Sequence, residues 1–179
     1  RMFSAFIRYC TITRKTKGFI LDSGTWYTDN LFKGDKFKDK EFTIYGDYDV
    51  DGICASVTLY QGLKMLNADA AYYVPDRMEE GYGVNTPALR SIYEDGCRLL
   101  ITVDCGISSW KEVAEAKSWG MDVIVTDHHQ LPETLPDCII VNPVFSNSEK
   151  DKWRHLCGTG VAFICCTLIR SAVFFRSVF

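Results

Sequence analysis

The sequence has no C-x-x-C pair among its eight cysteines, no long uncharged apolar run and no overall basic charge. Without paired cysteines, the usual ligand spacing of a structural zinc site is missing. Residues 1–20 carry scattered Arg and Lys and no continuous apolar core, which argues against a secretory signal. The apolar stretch 161–179 is interrupted by Arg170 and Arg176, whereas a membrane span needs about 20 apolar residues. These absences favour a reduced, cytoplasmic compartment.

Charge is unevenly distributed along the 179 residues, whose formal net charge is −3. Residues 1–40 hold nine Lys and Arg against four Asp and Glu, a balance of +5, and the remainder has a balance of −8. An acidic body suits a cation site. The basic segment is either a contact for an anionic polymer or a solvated charged arm. With 47% hydrophobic and 24% charged residues, the chain has the composition of an ordinary soluble globular domain.

From residue 41 onward, short apolar runs alternate with helical patterns. Strands are predicted at about 42–45, 70–74, 98–103, 121–126 and 138–141, and helices at about 53–66, 85–94, 109–119 and 160–173. The strands are nearly all apolar, which is typical of a sheet covered by helices on both faces. We therefore predict an α/β fold of three layers, with a mostly parallel five-stranded sheet between helices. Residues 1–40 show no clear element.

Three of the predicted strands are followed directly by acidic residues. These residues and their neighbours are Asp47, Asp49 and Asp51, then Asp104, then Asp127, His128 and His129. Ligands of open parallel sheets bind at the carboxyl ends of the strands, so we expect these side chains in one crevice. Five carboxylates and two imidazoles in one crevice repel each other unless cations lie among them. A metal site with hydrolytic chemistry is the leading hypothesis.

The acids of the first motif alternate with Tyr48 and Val50. In an extended segment alternate side chains point the same way, so this spacing can place two or three carboxylates on one face. Imidazole beside carboxylate favours Mn²⁺, with Mg²⁺ as a possible substitute. The alternatives are a solvated acidic turn or a calcium loop of the D-x-D-x-D-G type. The calcium loop requires glutamate six residues after the glycine, where this chain has Thr58.

Several motifs together resemble the DHH phosphoesterase superfamily. They are DYDVDG at 47–52, ITVDCG at 101–106, TDHH at 126–129, VPDRMEEGYGVN at 74–85, VNP at 141–143 and LCGTGVAF at 156–163. Within the superfamily the chain is most similar to the RecJ-type exonucleases, over about residues 40–170. The resemblance implies a 5′→3′ exonuclease that acts on single-stranded DNA in repair and recombination. It also implies two Mn²⁺ or Mg²⁺ ions per site.

The resemblance assigns roles to individual residues. As metal ligands it implies Asp49, Asp51, Asp104 and His128, with Asp47 as a further acid at the same site. Catalysis would fall to Asp104 and to the third motif, which comprises Asp127, His128 and His129. Substrate contacts would be made by Arg77, Gly81, Tyr82 and Gly83, and by Gly158 and Gly160 before the last helix. The structural alternatives are a salt bridge of Arg77 with Glu79 or Glu80, a buried Tyr82, and a simple glycine turn before the helix.

The chain departs from the family at both ends. The fourth motif of the family, with another metal-binding Asp, and its associated second domain find no match after residue 170. We therefore divide the chain into a basic segment 1–40, an incomplete DHH domain 41–170 and an unmatched tail 171–179. We expect a truncated chain that binds Mn²⁺ and cleaves single-stranded DNA weakly or not at all. The alternatives are hydrolysis of short oligonucleotides, cyclic dinucleotides or pyrophosphate, and a non-catalytic module that binds single strands or a protein.

Overall fold

The computed structural model describes residues 42–66, 68, 70–145 and 152–178. The basic segment 1–40 thus lies outside the described residues. The helices and strands follow one another in the order β1 (Phe42–Gly46), α1 (Val50–Lys64), β2 (Ala71–Tyr73), α2 (Thr86–Glu94), β3 (Leu99–Val103), α3 (Trp110–Ser118), β4 (Asp122–Thr126), β5 (Ile139–Val141) and α4 (Gly158–Val178). Two 3-10 helices, Pro143–Phe145 and Lys152–His155, lie between β5 and α4.

The five strands form one parallel sheet in the order β2-β1-β3-β4-β5. In the register of the central strands, Ile44 of β1 pairs with Tyr72 of β2 on one side and with Ile101 of β3 on the other. The chain therefore moves outward from β1 to β2 and then returns past β1 to build the other half. The point where the order reverses, between β1 and β3, is where open α/β sheets bind ligands.

Helices cover both faces of the sheet, because its strands have apolar side chains on both sides. On one face α1 and α4 pack together over the strands, with Ile44, Leu59 and Ala162 in a buried cluster. On the other face α2 and α3 cover a second buried cluster that includes Leu89 and Val113. The prediction of a three-layer fold with a five-stranded parallel sheet is confirmed.

The four helix starts differ from the sequence prediction by one to three residues. Helix α1 begins at Val50 rather than at residue 53, because the Asp49 carboxylate caps it by accepting from the Gly52 amide at 2.9 Å. Helix α2 is capped by Asn85, whose side chain accepts from the Ala88 amide at 2.8 Å. Helix α4 begins at Gly158, two residues earlier than predicted, and continues to Val178 through most of the unmatched tail.

The early start of α1 places the acids of the first motif in different backbone conformations. Asp47 and Asp49 precede the helix, whereas Asp51 lies in its first turn. Of the two or three acids that an extended segment could align, only Asp47 and Asp49 precede the helix, because a helix turns successive side chains by about 100° and so separates Asp51 from this pattern.

The seven described cysteines are free thiols, as expected from their isolated positions. Among the described helices, none is long and apolar enough to cross a membrane.

Candidate metal centre

Three buried carboxylates follow three neighbouring strands of the sheet. Asp47, Asp104 and Asp127 come after β1, β3 and β4 and are 3%, 2% and 1% exposed. Their backbones extend the sheet pairing, since the Asp104 amide donates to the Thr126 carbonyl at 3.0 Å and the Asp127 amide to the Val141 carbonyl at 3.0 Å. The strands thus hold these acids together at one edge, as the sequence predicted.

The side chains at this edge form two possible sets of metal donors. In the first set, oxygens of Asp47, Asp49 and Asp104 lie within 4.8 Å of one another. In the second set, the same spacing joins Asp104 to His128 and His129. Asp104 belongs to both sets, so its carboxylate lies where one group can serve two neighbouring cations.

Asp104 has a buried oxygen without a hydrogen-bond partner. Its Oδ1 makes no hydrogen bond among the described residues, and the imidazole nitrogen Nε2 of His128 lies 3.0 Å away. Burial raises the pKa of Asp104 to about 7, and the charges of Asp51 and Asp49 contribute to this rise. Its backbone also takes a φ of 62°, a left-handed conformation that is uncommon outside glycine. A carboxylate held in this way fits a cation ligand, since a cation would satisfy the free oxygen.

Asp51 lies beside the second donor set and against helix α4. Its carboxylate accepts from the amides of Gly158 and Thr159 at 2.7 Å and 2.9 Å, and from the Thr159 hydroxyl at 2.6 Å. His128 Nε2 lies 3.6 Å from Asp51 Oδ2. Burial would raise the pKa of Asp51, but these hydrogen bonds lower it below its ordinary value. The predicted ligand Asp51 therefore remains ionised and in contact with His128.

Asp127 holds the imidazole of His129. Its Oδ1 lies 2.7 Å from His129 Nδ1 and accepts from the amides of His128 and His129, while its Oδ2 accepts from the Ile107 amide at 3.0 Å. These hydrogen bonds outweigh burial and lower the pKa of Asp127, and the contact with His129 raises the pKa of that imidazole to about 8. With both oxygens engaged, Asp127 orients His129 so that Nε2 remains for another partner.

The GYG turn lies over the third motif. Gly81 and Gly83 have φ angles of 77° and 85°, which glycine adopts without strain. Between them Tyr82 is 59% exposed, and its hydroxyl lies 3.4 Å from His129 Nε2. The alternative of a buried Tyr82 is wrong, because the two glycines turn its ring outward to the edge of the site.

Arg77 is held by an aromatic ring rather than by an acid. Its guanidinium lies 5.3 Å from the ring centre of Tyr48, and Arg77 forms no ion pair within the described part of the chain. Glu80 instead accepts from the Tyr73 hydroxyl at 2.7 Å and the Asn85 side-chain amide at 2.9 Å. Tyr48 has no assigned role in the sequence analysis, although its position between two acids of the first motif offered a signal.

The glycines before α4 differ in their surroundings. A Cβ atom at Gly158 would lie 2.3 Å from Asp104 Oδ1, so only glycine lets the helix approach the acid this closely. A Cβ at Gly160 would meet Leu156 at 2.9 Å, and the hydrogen bonds of the described residues do not connect Gly160 to the acids. The structure thus brings Gly158 into the site and gives its amide Asp51 as a partner.

A sequence profile described as the DHH family, N-terminal domain, matches residues 41–174. The chain belongs to the DHH family. Its three DHH motifs coincide with the three strand ends that carry the buried acids, and the family assignment confirms the resemblance inferred from those motifs.

Curated relatives of this DHH domain include single-stranded-DNA-specific exonucleases RecJ. Identity is 45% over 125 residues with the Bacillus subtilis protein, covering 69% of this chain and 16% of that protein. It is 41% over 134 residues with the Haemophilus influenzae protein, covering 74% and 23%. The chain thus spans less than a quarter of the length of these curated relatives.

Solved structures of RecJ proteins also match this chain. A structure titled "Crystal structure of exonuclease RecJ bound to manganese" matches with a TM-score of 0.72 and 32% identity, covering 84% of this chain and 37% of that chain. RecJ from Thermus thermophilus in complex with Mn²⁺ matches with a TM-score of 0.68 and 28% identity, covering 91% and 22%. The α/β fold of the DHH domain is therefore shared with RecJ.

Proposed function

We propose that this chain is a RecJ-like exonuclease of reduced activity, which hydrolyses phosphodiester bonds of single-stranded DNA from the 5′ end with two Mn²⁺ or Mg²⁺ ions. The observation that carries the proposal is the carboxylate of Asp104, which belongs to both donor sets and whose buried Oδ1 has no hydrogen-bond partner among the described residues. The relatives named as single-stranded-DNA-specific exonucleases, and the RecJ structures titled as manganese-bound, support it.

Two groups of side chains would hold the ions. Asp47, Asp49 and Asp104 supply only oxygen, whereas the second group adds the imidazoles of His128 and His129 to Asp104. Carboxylate oxygens suit Mg²⁺ and Mn²⁺, and imidazole suits Mn²⁺ better than Mg²⁺. Cations held there would supply polarisation of a phosphoryl oxygen and a lowered pKa for an attacking water. Asp51 borders the second group through His128.

The surrounding residues would orient the metal ligands and the single-stranded DNA. Asp127 fixes the ring of His129 through Nδ1, so that Nε2 faces the crevice. Arg77 presents its planar guanidinium over Tyr48, where it can neutralise a phosphate of the strand. The exposed ring of Tyr82 can stack on an unpaired base, a contact worth about 1–3 kcal/mol in proteins that bind single strands.

Metal binding is the first test of this function. Calorimetric titration of the purified chain with Mn²⁺ should show two sites of about micromolar affinity, and Asp104→Ala should weaken both because Asp104 belongs to both donor sets. Asp95→Ala is the control, because it removes an exposed acid that precedes β3 and so lies at the opposite edge of the sheet. Absence of binding, or binding that Asp104→Ala leaves unchanged, would contradict the proposed centre.

Nucleotide release is the second test. A single-stranded oligonucleotide labelled at the 5′ end should release labelled mononucleotide slowly in the presence of Mn²⁺, because the activity of this chain is reduced, and Asp104→Ala should abolish the release. The same strand labelled at the 3′ end should shorten without early loss of label. Turnover confined to short oligonucleotides or cyclic dinucleotides would replace the proposed substrate, and binding of single strands without any turnover would favour a non-catalytic module.

A further inference from the structure

The first turn of α4 holds the carboxylate of Asp51 with three donors. The Gly158 amide donates to Oδ2 at 2.7 Å, and the Thr159 amide donates to Oδ1 at 2.9 Å. The third donor is the side-chain hydroxyl of Thr159, at 2.6 Å from Oδ1. The same hydroxyl lies 3.1 Å from the main-chain oxygen of Asp51, so it contacts both the backbone and the side chain of one residue.

We propose that Thr159 is a positioning residue of the metal centre, whose hydroxyl fixes the Asp51 carboxylate against His128. The proposal rests on the proposed function, since it concerns the same centre. It goes beyond the motif roles, because neither the sequence motifs nor the donor sets single out Thr159.

The contacts form a continuous chain from Thr159 to the buried acid. Thr159 Oγ1 lies 2.6 Å from Asp51 Oδ1, the other oxygen of Asp51 lies 3.6 Å from His128 Nε2, and that nitrogen lies 3.0 Å from Asp104 Oδ1. The last atom is the buried oxygen for which the described residues provide no hydrogen bond. A rotation of the Asp51 carboxylate would therefore change the contacts of His128 and, through it, of the group shared by both donor sets.

Besides the Thr159 hydroxyl, the side chain of Cys157, the residue before α4, also hydrogen-bonds Asp51. The backbone amides alone leave this carboxylate less constrained. They hold it as any helix amino terminus can hold an acid, whereas the short hydroxyl contact adds a donor on the side of Oδ1. Asp51 and Thr159 lie on separate helices, α1 and α4, so the contact also ties a side chain of the first motif to the last helix. Such outer contacts of ligating groups commonly change metal affinity by about 10–100-fold when they are removed.

The test compares three variants of the full chain by calorimetric titration with Mn²⁺. Thr159→Val keeps the shape of the side chain and removes the hydroxyl, whereas Thr159→Ser keeps the hydroxyl. Thr167→Val is the matched control, because Thr167 lies on the same helix and its hydroxyl donates to the Phe163 carbonyl at 2.9 Å, within α4. Thermal unfolding of each metal-free variant reports the general effect on folding.

We expect Thr159→Val to bind Mn²⁺ about 10–100-fold more weakly than wild type, and both other variants to bind as wild type does. Wild-type affinity in Thr159→Val would overturn the proposal, as would equal losses in Thr159→Val and Thr159→Ser or in Thr159→Val and Thr167→Val. Should Thr159→Val not fold, Thr159→Ala takes its place under the same criteria. Wild-type chain that binds no Mn²⁺ would instead contradict the proposed function, so the two failures are distinguishable.

Discussion

At the scale of one residue, Asp104 shows how the site keeps a carboxylate buried. Its carboxylate is buried, one oxygen has no hydrogen-bond partner among the described residues, and its backbone is left-handed. Each feature costs folding free energy in the absence of a cation, because buried charge and a positive φ are both unfavourable. Asp104 thus makes the folded chain with a bound cation more stable than the folded chain without one.

The raised pKa of Asp104 predicts a pH-dependent stability. The pKa of Asp104 is about 7 in the folded chain and about 3.8 in the unfolded chain, so the unfolded chain loses this proton at lower pH. As the pH rises from about 4 to 7, the folded, metal-free chain therefore loses stability. Asp104→Asn should therefore stabilise the chelator-treated chain by about 1–3 kcal/mol at pH 8, and by less at pH 5. Asparagine also tolerates the positive φ.

Urea unfolding with EDTA at the two pH values measures this effect. The same variant should lose Mn²⁺ binding in calorimetry, so stability and affinity move in opposite directions. Equal or lower stability of Asp104→Asn at pH 8 would contradict the account of a strained carboxylate.

His129 predicts a titration that depends on Asp127. The contact between Nδ1 and the Asp127 carboxylate raises the pKa of His129 from 6.5 to about 8. A pKa raised on folding stabilises the fold below about pH 6.5, and this contribution is lost as the pH rises through 8. In Asp127→Asn the metal-free pKa of His129 should fall towards 6.5 or below. Proton NMR of the imidazoles measures it, with the exposed His155 as internal reference, and an unchanged titration would contradict the assignment.

At the scale of elements, α4 closes one side of the crevice. Its amino terminus contacts Asp51 and Asp104, and farther along it packs on α1 where a Cβ at Gly62 would meet the Cys166 sulfur. Gly158 therefore permits the close approach of α4 to the acids of the site. Gly62 permits the close approach of α4 to α1 at a position away from the site. This pair separates the effect of helix packing from the effect on the metal centre.

Gly158→Ala should weaken both folding and metal binding. Its methyl group would lie 2.3 Å from Asp104 Oδ1, so the helix or the carboxylate must move. Gly62→Ala should lower the melting temperature as well, because its methyl group meets Cys166, while Mn²⁺ affinity stays near that of wild type. Calorimetric titration and thermal unfolding of both variants test this, and equal affinities in the two variants would show that Gly158 serves packing alone.

At the scale of the whole molecule, the charge balance opposes the binding of anionic single-stranded DNA at the crevice. Residues 41–179 carry eight more acidic than basic side chains, and five of these acids follow the strands. Without divalent cations, such a crevice repels phosphates. Two divalent cations bound among these five acids would neutralise most of the local negative charge.

We therefore expect affinity for a single-stranded oligonucleotide to rise when Mn²⁺ is added. Fluorescence anisotropy at low temperature, with short incubation, measures binding before cleavage. Asp104→Ala should remove most of the gain and leave the cation-independent binding, which should weaken with salt as phosphate contacts do. Affinity that Mn²⁺ does not change would place strand binding away from the acids.

The sequence was sufficient for the sheet and the motifs, and it failed at helix starts. Five apolar runs identified the five strands, because the central strands of a parallel sheet are buried on both faces and are mostly apolar. The edge strand β2 is less buried, with Tyr72 exposed. Helix starts depend on caps, and Asp49 served as the cap of α1 while it was interpreted as part of an extended segment. Local pattern alone does not distinguish an acid that caps a helix from one that continues a loop.

The sequence by itself determined the α/β fold and the acids that follow three of the strands, because periodicity and motif spacing are properties of the chain, and its motifs carried the resemblance to the DHH family. Only the tertiary structure decided which donors lie together, that Asp127 orients His129, and that Thr159 contacts Asp51 from 108 residues away. The donor sets join the ends of separate strands, and the Thr159 contact joins two helices. The Thr159 contact depends on the angle at which α4 packs against α1, which no local pattern encodes.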